Sequence, residues 1–243
     1  GRQIEIAKPP LPERVVSQSG QTIYTRDEIE RGRQVWQSIG GQQLGSIWGH
    51  GGLVAPDWSA DWLHREIIAI LDQWAQAEHG APWSELSEEN QNALQGRLRA
   101  RMRQNTYDPG AGTITLTDYR AQAISTVSAH YESLFGNDPA TAELREAYAM
   151  KNNTVADAED RRLLGAFFWW TAWAAATERP GSNITYTNNW PSEPLIGNRP
   201  PASMFLWSAF SVTFLLAGIA LLGWHYARTH SRDPEPHILP SID

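Results

Sequence analysis

GRQVWQSIGGQQLGSIWGHGGLVAPDWSADWLHRE, residues Gly32–Glu66, contains a helix end, a loop and a helix start in one short stretch. Its first turns, Gly32–Ser38, complete a helix predicted over residues 26–38, opened by Thr25 and Glu28 as a capping box. The middle, GGQQLGSIWGHGG (Gly40–Gly52), is too glycine-rich for a regular element and reads as a loop that brings backbone close to something. A second helix then begins, with Ser59 as its cap and Leu63, Ile67, Ile70 and Trp74 along one face. Two amphipathic helices joined in this way predict a mainly α fold with small β elements.

Working outward, residues 1–24 read as an extended leader and a short hairpin. KPPLPER (Lys8–Arg14) cannot be helical, and Val15–Ser17 and Gln21–Tyr24 flank a Ser-Gly turn. Downstream, a helix is predicted over residues 84–104. Leu86, Ala93, Leu94, Leu98 and Met102 lie inward, and Arg97, Arg99, Arg101 and Arg103 form a solvated face. A strand at Thr113–Leu116 and helices near 118–135, 139–150 and 157–177 follow, with Asp138-Pro139 as an N-cap and first-turn pair. The apolar run Ala166–Ala176 is too short to span a bilayer, so it is either buried or laid at an interface. Pro180-Gly181 ends that helix, and Asn188–Pro201 forms a proline-braced connector. The main domain is thus expected over residues 25–200.

Phe205–Trp224, FLWSAFSVTFLLAGIALLGW, carries no charge. At ~1.5 Å per residue, its twenty residues match a hydrocarbon core of roughly 30 Å. A membrane helix is predicted over residues 203–227, anchored by Trp207, Trp224 and Tyr226. Arg228 and Arg232 follow it and Arg199 precedes it. This bias puts the 228–243 tail in the cytoplasm and the main domain outside.

Composition narrows the function. A net charge of −7 argues against a nucleic-acid partner, which demands a basic face. The chain has no Cys, which excludes disulfides, thiolate metal sites, cysteine nucleophiles and covalent haem attachment through C-x-x-C-H. Its twelve Trp point to large buried contacts and membrane interfaces.

Three constellations bear on chemistry. His50, Asp57, Asp61 and His64 could bind a divalent metal, since Asp61 and His64 share a helix face. A capped helix start explains the same residues more simply. The loop Gly49–Pro56 lacks the lysine of a phosphate loop and reads by default as close backbone packing, with exposed carbonyls that could also serve a hard cation such as Ca²⁺. Tyr186–Arg199 has no nucleophile–base pair and reads as a connector that places Trp190 at an interface. No Ser-His-Asp set or carboxylate pair stands out, so the chain alone is not expected to be catalytic.

Gly32–Glu66 resembles the N-terminal region of quinol-dependent nitric oxide reductases, single-chain members of the haem-copper oxidase superfamily. NNWPSEPLIGNRP (Asn188–Pro200) resembles that family's connector into its next membrane helix, and Thr171-Ala-Trp-Ala-Ala with Arg179-Pro180-Gly181 is similar too. The resemblance implies a haem-less, cytochrome c-like extracytoplasmic domain in an enzyme that reduces two NO to N₂O with electrons from quinol. It also implies the bacterial inner membrane, with the soluble domain facing the periplasm.

In such an enzyme haem b, non-haem iron and possible calcium belong to the full assembly, and none of them to this chain alone. The expected partners are the catalytic membrane bundle, the lipid bilayer and, through the full enzyme, quinol. The bundle is expected after Asp243 and one further membrane helix ahead of Gly1, so the chain is expected to be part of a longer or split enzyme. Where a cytochrome c domain carries C-x-x-C-H, this chain reads Ile39-Gly-Gly-Gln-Gln43, and Trp36 and Trp48 are expected to fill the vacated space. Family members usually read G-H-G-A-Y-V-A-P-D in the loop, and here Leu53 replaces the tyrosine. Any calcium contact is then left to the backbone carbonyls of Gly51 and Leu53. The alternative is a stand-alone membrane-anchored extracytoplasmic binding or adaptor module.

Overall fold

The computed structural model describes residues 8–230, and the chain divides at Pro200 into two units, Gly1–Pro200 and Pro201–Asp243. Parts of the expected leader (residues 1–7) and of the expected tail (231–243) lie outside the described residues.

In the first unit, β1 (Arg14–Ser17) and β2 (Thr22–Thr25) form the expected hairpin, with a register irregularity between Val15 and Val16. Thr25 then caps α1 (Arg26–Ser38) through a complete capping box with Glu28. The glycine stretch contains a short helix, α2 (Gly41–Leu44), and a miniature hairpin of β3 (Ser46–Ile47) and β4 (His50–Gly51), so it is more regular than the expected loop. Next come α3 (Trp58–His79), α4 (Glu88–Arg103), β5 (Tyr107–Asp108), β6 (Thr113–Leu116), α5 (Asp118–Phe135), α6 (Ala142–Ala147) and α7 (Ala158–Ala176). The sheet order is β2-β1-β6-β5. β6 pairs parallel to β1, so residues 14–17 and 113–116 close one sheet across nearly a hundred positions.

Three helix predictions need correction. The cap of α3 is Asp57, whose carboxylate accepts from the Ser59 and Ala60 amides at 3.0 Å each. A carboxylate at the position before Trp58 reaches both amides, and the Ser59 hydroxyl instead accepts from Trp48 N at 3.3 Å. The helix expected over 84–104 begins at Glu88. Ser87 caps it, and Trp83–Glu85 forms a separate 3₁₀ turn held by Trp83 N donating to Asp72. The stretch 139–150 is likewise a 3₁₀ turn, Pro139–Thr141, followed by the short α6, and Ala149 at φ 51° lies beyond its end.

The core is aromatic and centres on α7. Every residue from Leu163 to Ala176 except Trp170 is buried, which places the apolar run inside the domain. Trp58 stacks on Phe168 (ring centres 5.6 Å apart, planes 11° apart), and Trp62 stacks on Tyr131 (5.0 Å, 10°). α1 crosses α7 so closely that a Cβ at Gly32 would overlap the Leu163 carbonyl. Beneath the stacks, the buried Glu66 accepts from Trp62 Nε1 at 3.0 Å and from Arg120 Nε at 2.6 Å.

Among the described residues the second unit holds one helix, α8 (Ala202–His230), longer at both ends than expected. Its segment Phe205–His230, with a mean hydropathy of 2.1 in its most apolar window, is long and apolar enough to cross a membrane.

Candidate functional site

The loop between α2 and α3 is organised by Asp57. One carboxylate oxygen caps α3, and the other accepts from Ser46 Oγ at 2.7 Å and Gly49 N at 2.6 Å. The turn between β3 and β4 consists of Trp48 (φ 53°) and Gly49 (φ 79°), both left-handed, as a two-residue hairpin turn of the mirror type requires. A tryptophan seldom adopts this conformation, and here its side chain is fixed from outside. Trp48 Nε1 donates to the Thr171 carbonyl at 2.9 Å, and its ring packs at 5.6 Å from that of Trp170. Gly49 lies so close to Trp190 that a Cβ there would come within 2.6 Å of the indole nitrogen. Ala55 N donates to Leu44 O and Gly52 N to Gln42 O, so both ends of the loop are tied down. Between these ties Leu53 and Val54 project, 93% and 57% exposed.

The connector is wired mainly by asparagines, a role that proline-based reasoning misses. Asn189 exchanges two hydrogen bonds with Thr185 and donates to the Arg199 carbonyl at 2.7 Å. Asn198, fully buried, donates to Ala175 O and Pro191 O and accepts from Glu193 N at 2.6 Å. Glu193 in turn accepts from Leu195 N and meets His64 Nδ1 at 3.1 Å, tying the connector to α3. The only sequence signal is compositional: asparagines among prolines, where backbone carbonyls lack regular partners.

The four candidate metal residues do not converge. His50 Nδ1 lies 3.1 Å from Trp48 O, Asp57 serves the loop and the α3 cap, and His64 faces Glu193. Asp61 accepts from Arg65 at 2.8 Å and from the Tyr131 hydroxyl at 2.6 Å. Burial, and then the Asp61 charge, push the Tyr131 hydroxyl well above the usual phenol range, so it stays a donor. Among the described residues no group of three or more His, Cys, Asp or Glu could hold a metal ion. Of the four, Asp57 caps the helix start, while Asp61, His64 and His50 each serve a separate contact.

Gly51 and Leu53 lie on one loop, Gly51 at φ 147° in β4 and Leu53 at the exposed tip. Calcium takes roughly six to eight oxygen ligands. The loop's own carboxylate, Asp57, accepts four hydrogen bonds from the loop and the start of α3.

Covalent haem does not fit either. The segment after α1 has no Cys, and Gly41 packs so tightly under Trp36 that a Cβ there would overlap the ring. Trp36 is buried edge-on to Trp58 and Phe168. Trp48 is only half-buried and belongs to the loop. The large side chain at the centre of this packing is instead Trp58, which no local pattern distinguishes from the other tryptophans.

These features define a mainly helical, aromatic-cored domain in a membrane-anchored protein, with a pinned glycine loop seated on its connector. Residues 12–192 match the family model of the NorB cytochrome c-like domain of nitric oxide reductase, and the chain belongs to this oxidoreductase family. No curated protein sequence matches the chain.

Proposed function

We propose that this chain is the N-terminal, extracytoplasmic part of a single-chain, quinol-dependent nitric oxide reductase of a bacterial inner membrane, covering the catalytic membrane bundle as a structural, haem-free cap. The observation that carries this role is the distribution of exposed apolar side chains. Outside α8, the large exposed hydrophobics among the described residues are Leu53, Val54 and Trp190 alone. Leu53 and Val54 share the loop that touches Trp190 at Gly49, and Trp190 belongs to the connector that leads into α8. Burying side chains of this kind is worth about 1.5–3 kcal/mol each, so a partner surface is the natural cover. The membrane bundle is that partner.

In the complete enzyme haem b and non-haem iron supply the electron transfer to NO, and quinol supplies the electrons. This chain supplies packing. Gly51 and Leu53 would at most lend two backbone carbonyls to a calcium site whose other ligands come from the bundle.

The test is Leu53→Asp in the complete enzyme. The expected result is a domain that undocks from the bundle, read as faster protease cleavage at the 49–56 loop in mild detergent, and a quinol-driven NO turnover that falls several-fold. A gene that continues into no hydrophobic bundle, with Leu53→Asp behaving as wild type, would overturn the role and leave a stand-alone binding module.

A further inference from the structure

Away from the loop and connector, the Glu66–Arg120 pair leaves a donor over. Arg120 lies in the first turn of α5 and is 6% exposed. Its Nε is satisfied by Glu66, but its Nη2 is buried and has no hydrogen-bond partner among the described residues. Such donors are rare in folded proteins because burial removes their water. Arg120 lines a cavity of about 170 Å³ whose walls are part apolar, from Ile70, Leu98 and Met102, and part polar, from Gln18, Arg101 and Thr117.

Three properties of this cavity agree on the sign of its occupant. Arg101 and Arg120 line it, the latter already paired with the buried Glu66, and no Asp or Glu does. It opens at the start of α5, an eighteen-residue helix whose N-cap, Thr117, makes no side-chain cap hydrogen bond. The first amides of a helix have no intrahelical partner, and together with the helix dipole they favour negative charge. The nearest carboxylate in sequence, Asp118, is held elsewhere by Ser19, whose amide and hydroxyl donate to it at 3.0 and 2.8 Å.

We propose that this cavity binds a small inorganic oxyanion of the phosphate, sulfate or nitrate type. A cavity of about 170 Å³ has room for one such ion with waters around it. The ion would join Arg101 on α4 to Arg120 and the uncapped amides of α5, and so tie together the edges of the helical core. Arg120 would gain the acceptor its Nη2 lacks.

The experiment is thermal unfolding of the full chain in detergent, titrated with sodium phosphate against sodium chloride at matched ionic strength, with calorimetry for stoichiometry. The midpoint is expected to climb with phosphate in a saturable way at one ion per chain, since a ligand of the native state stabilises by mass action. Arg101→Gln, on the exposed rim, should need about ten times more phosphate. Arg120→Gln should abolish the response. If loss of the Glu66 partner unfolds that variant, Arg101→Gln still decides. A midpoint that follows chloride and phosphate alike, or equal phosphate curves for wild type and Arg101→Gln, would overturn the proposal.

Discussion

Asp57 uses both carboxylate oxygens, one for the amides that open α3 and one for the strand–turn segment Ser46–Gly49. Asp57→Ala should therefore lose a helix cap, worth about 1–2 kcal/mol, and also release the loop. Urea unfolding should show the stability loss, and protease should cut near Leu53 faster than in wild type. His130 offers a different test. Burial, and then the Arg65 charge, hold its imidazole below the usual histidine range, while Asp61 opposes them. The folded state thus resists a proton that the unfolded chain accepts, so stability is complete above the unfolded value near ~6.5 and falls as pH drops below it. His130→Gln should flatten the stability slope between about pH 6.5 and the onset of carboxylate titration, as denaturation midpoints across that range will show. The sequence places Asp57 at the start of α3, where a carboxylate suits the helix end, but its grip on Ser46 and Gly49 is not legible, because no spacing rule encodes those loop partners. His130 carries no local pattern at all.

At the scale of elements, periodic segments are legible and irregular ones are not. The α1 capping box, β6 and α7 follow from local signals that tertiary packing reinforces. The parallel pairing of β6 with β1 cannot be read, because it joins segments far apart in the chain. The same holds for Glu66 with Arg120, two charged residues that look like surface until the fold buries them together. Gly32 is a similar case. Glycine is a poor helix former, yet its missing side chain lets α1 cross α7 at the Leu163 carbonyl. Gly32→Ala raises local helix propensity but should destabilise the domain by about 1–3 kcal/mol, because neither backbone can retreat. A raised denaturation midpoint in that variant would show the crossing to be looser than the geometry indicates.

For the whole molecule, the candidate site is half legible. The glycine loop and the connector stand out as segments, but their contact at Gly49 and Trp190 and the asparagine wiring arise only in the folded chain. The full chain should stay with membranes through alkaline carbonate extraction, since α8 carries a span's length of apolar residues. Release into the supernatant would refute an integral anchor. The tryptophans offer a second readout of the same division. Trp58, Trp62, Trp169 and Trp173 are sealed within the first unit, while Trp207 and Trp224 lie on the outside of α8. Light absorbed by the sealed rings meets a fixed, asymmetric stack, so they should dominate the near-ultraviolet dichroism and emit out of reach of iodide in solution. Brominated lipid should dim Trp207 and Trp224 instead. The sealed rings and those on α8 thus answer to different quenchers, and the loss of the domain's packing can be followed without disturbing the signal of its anchor.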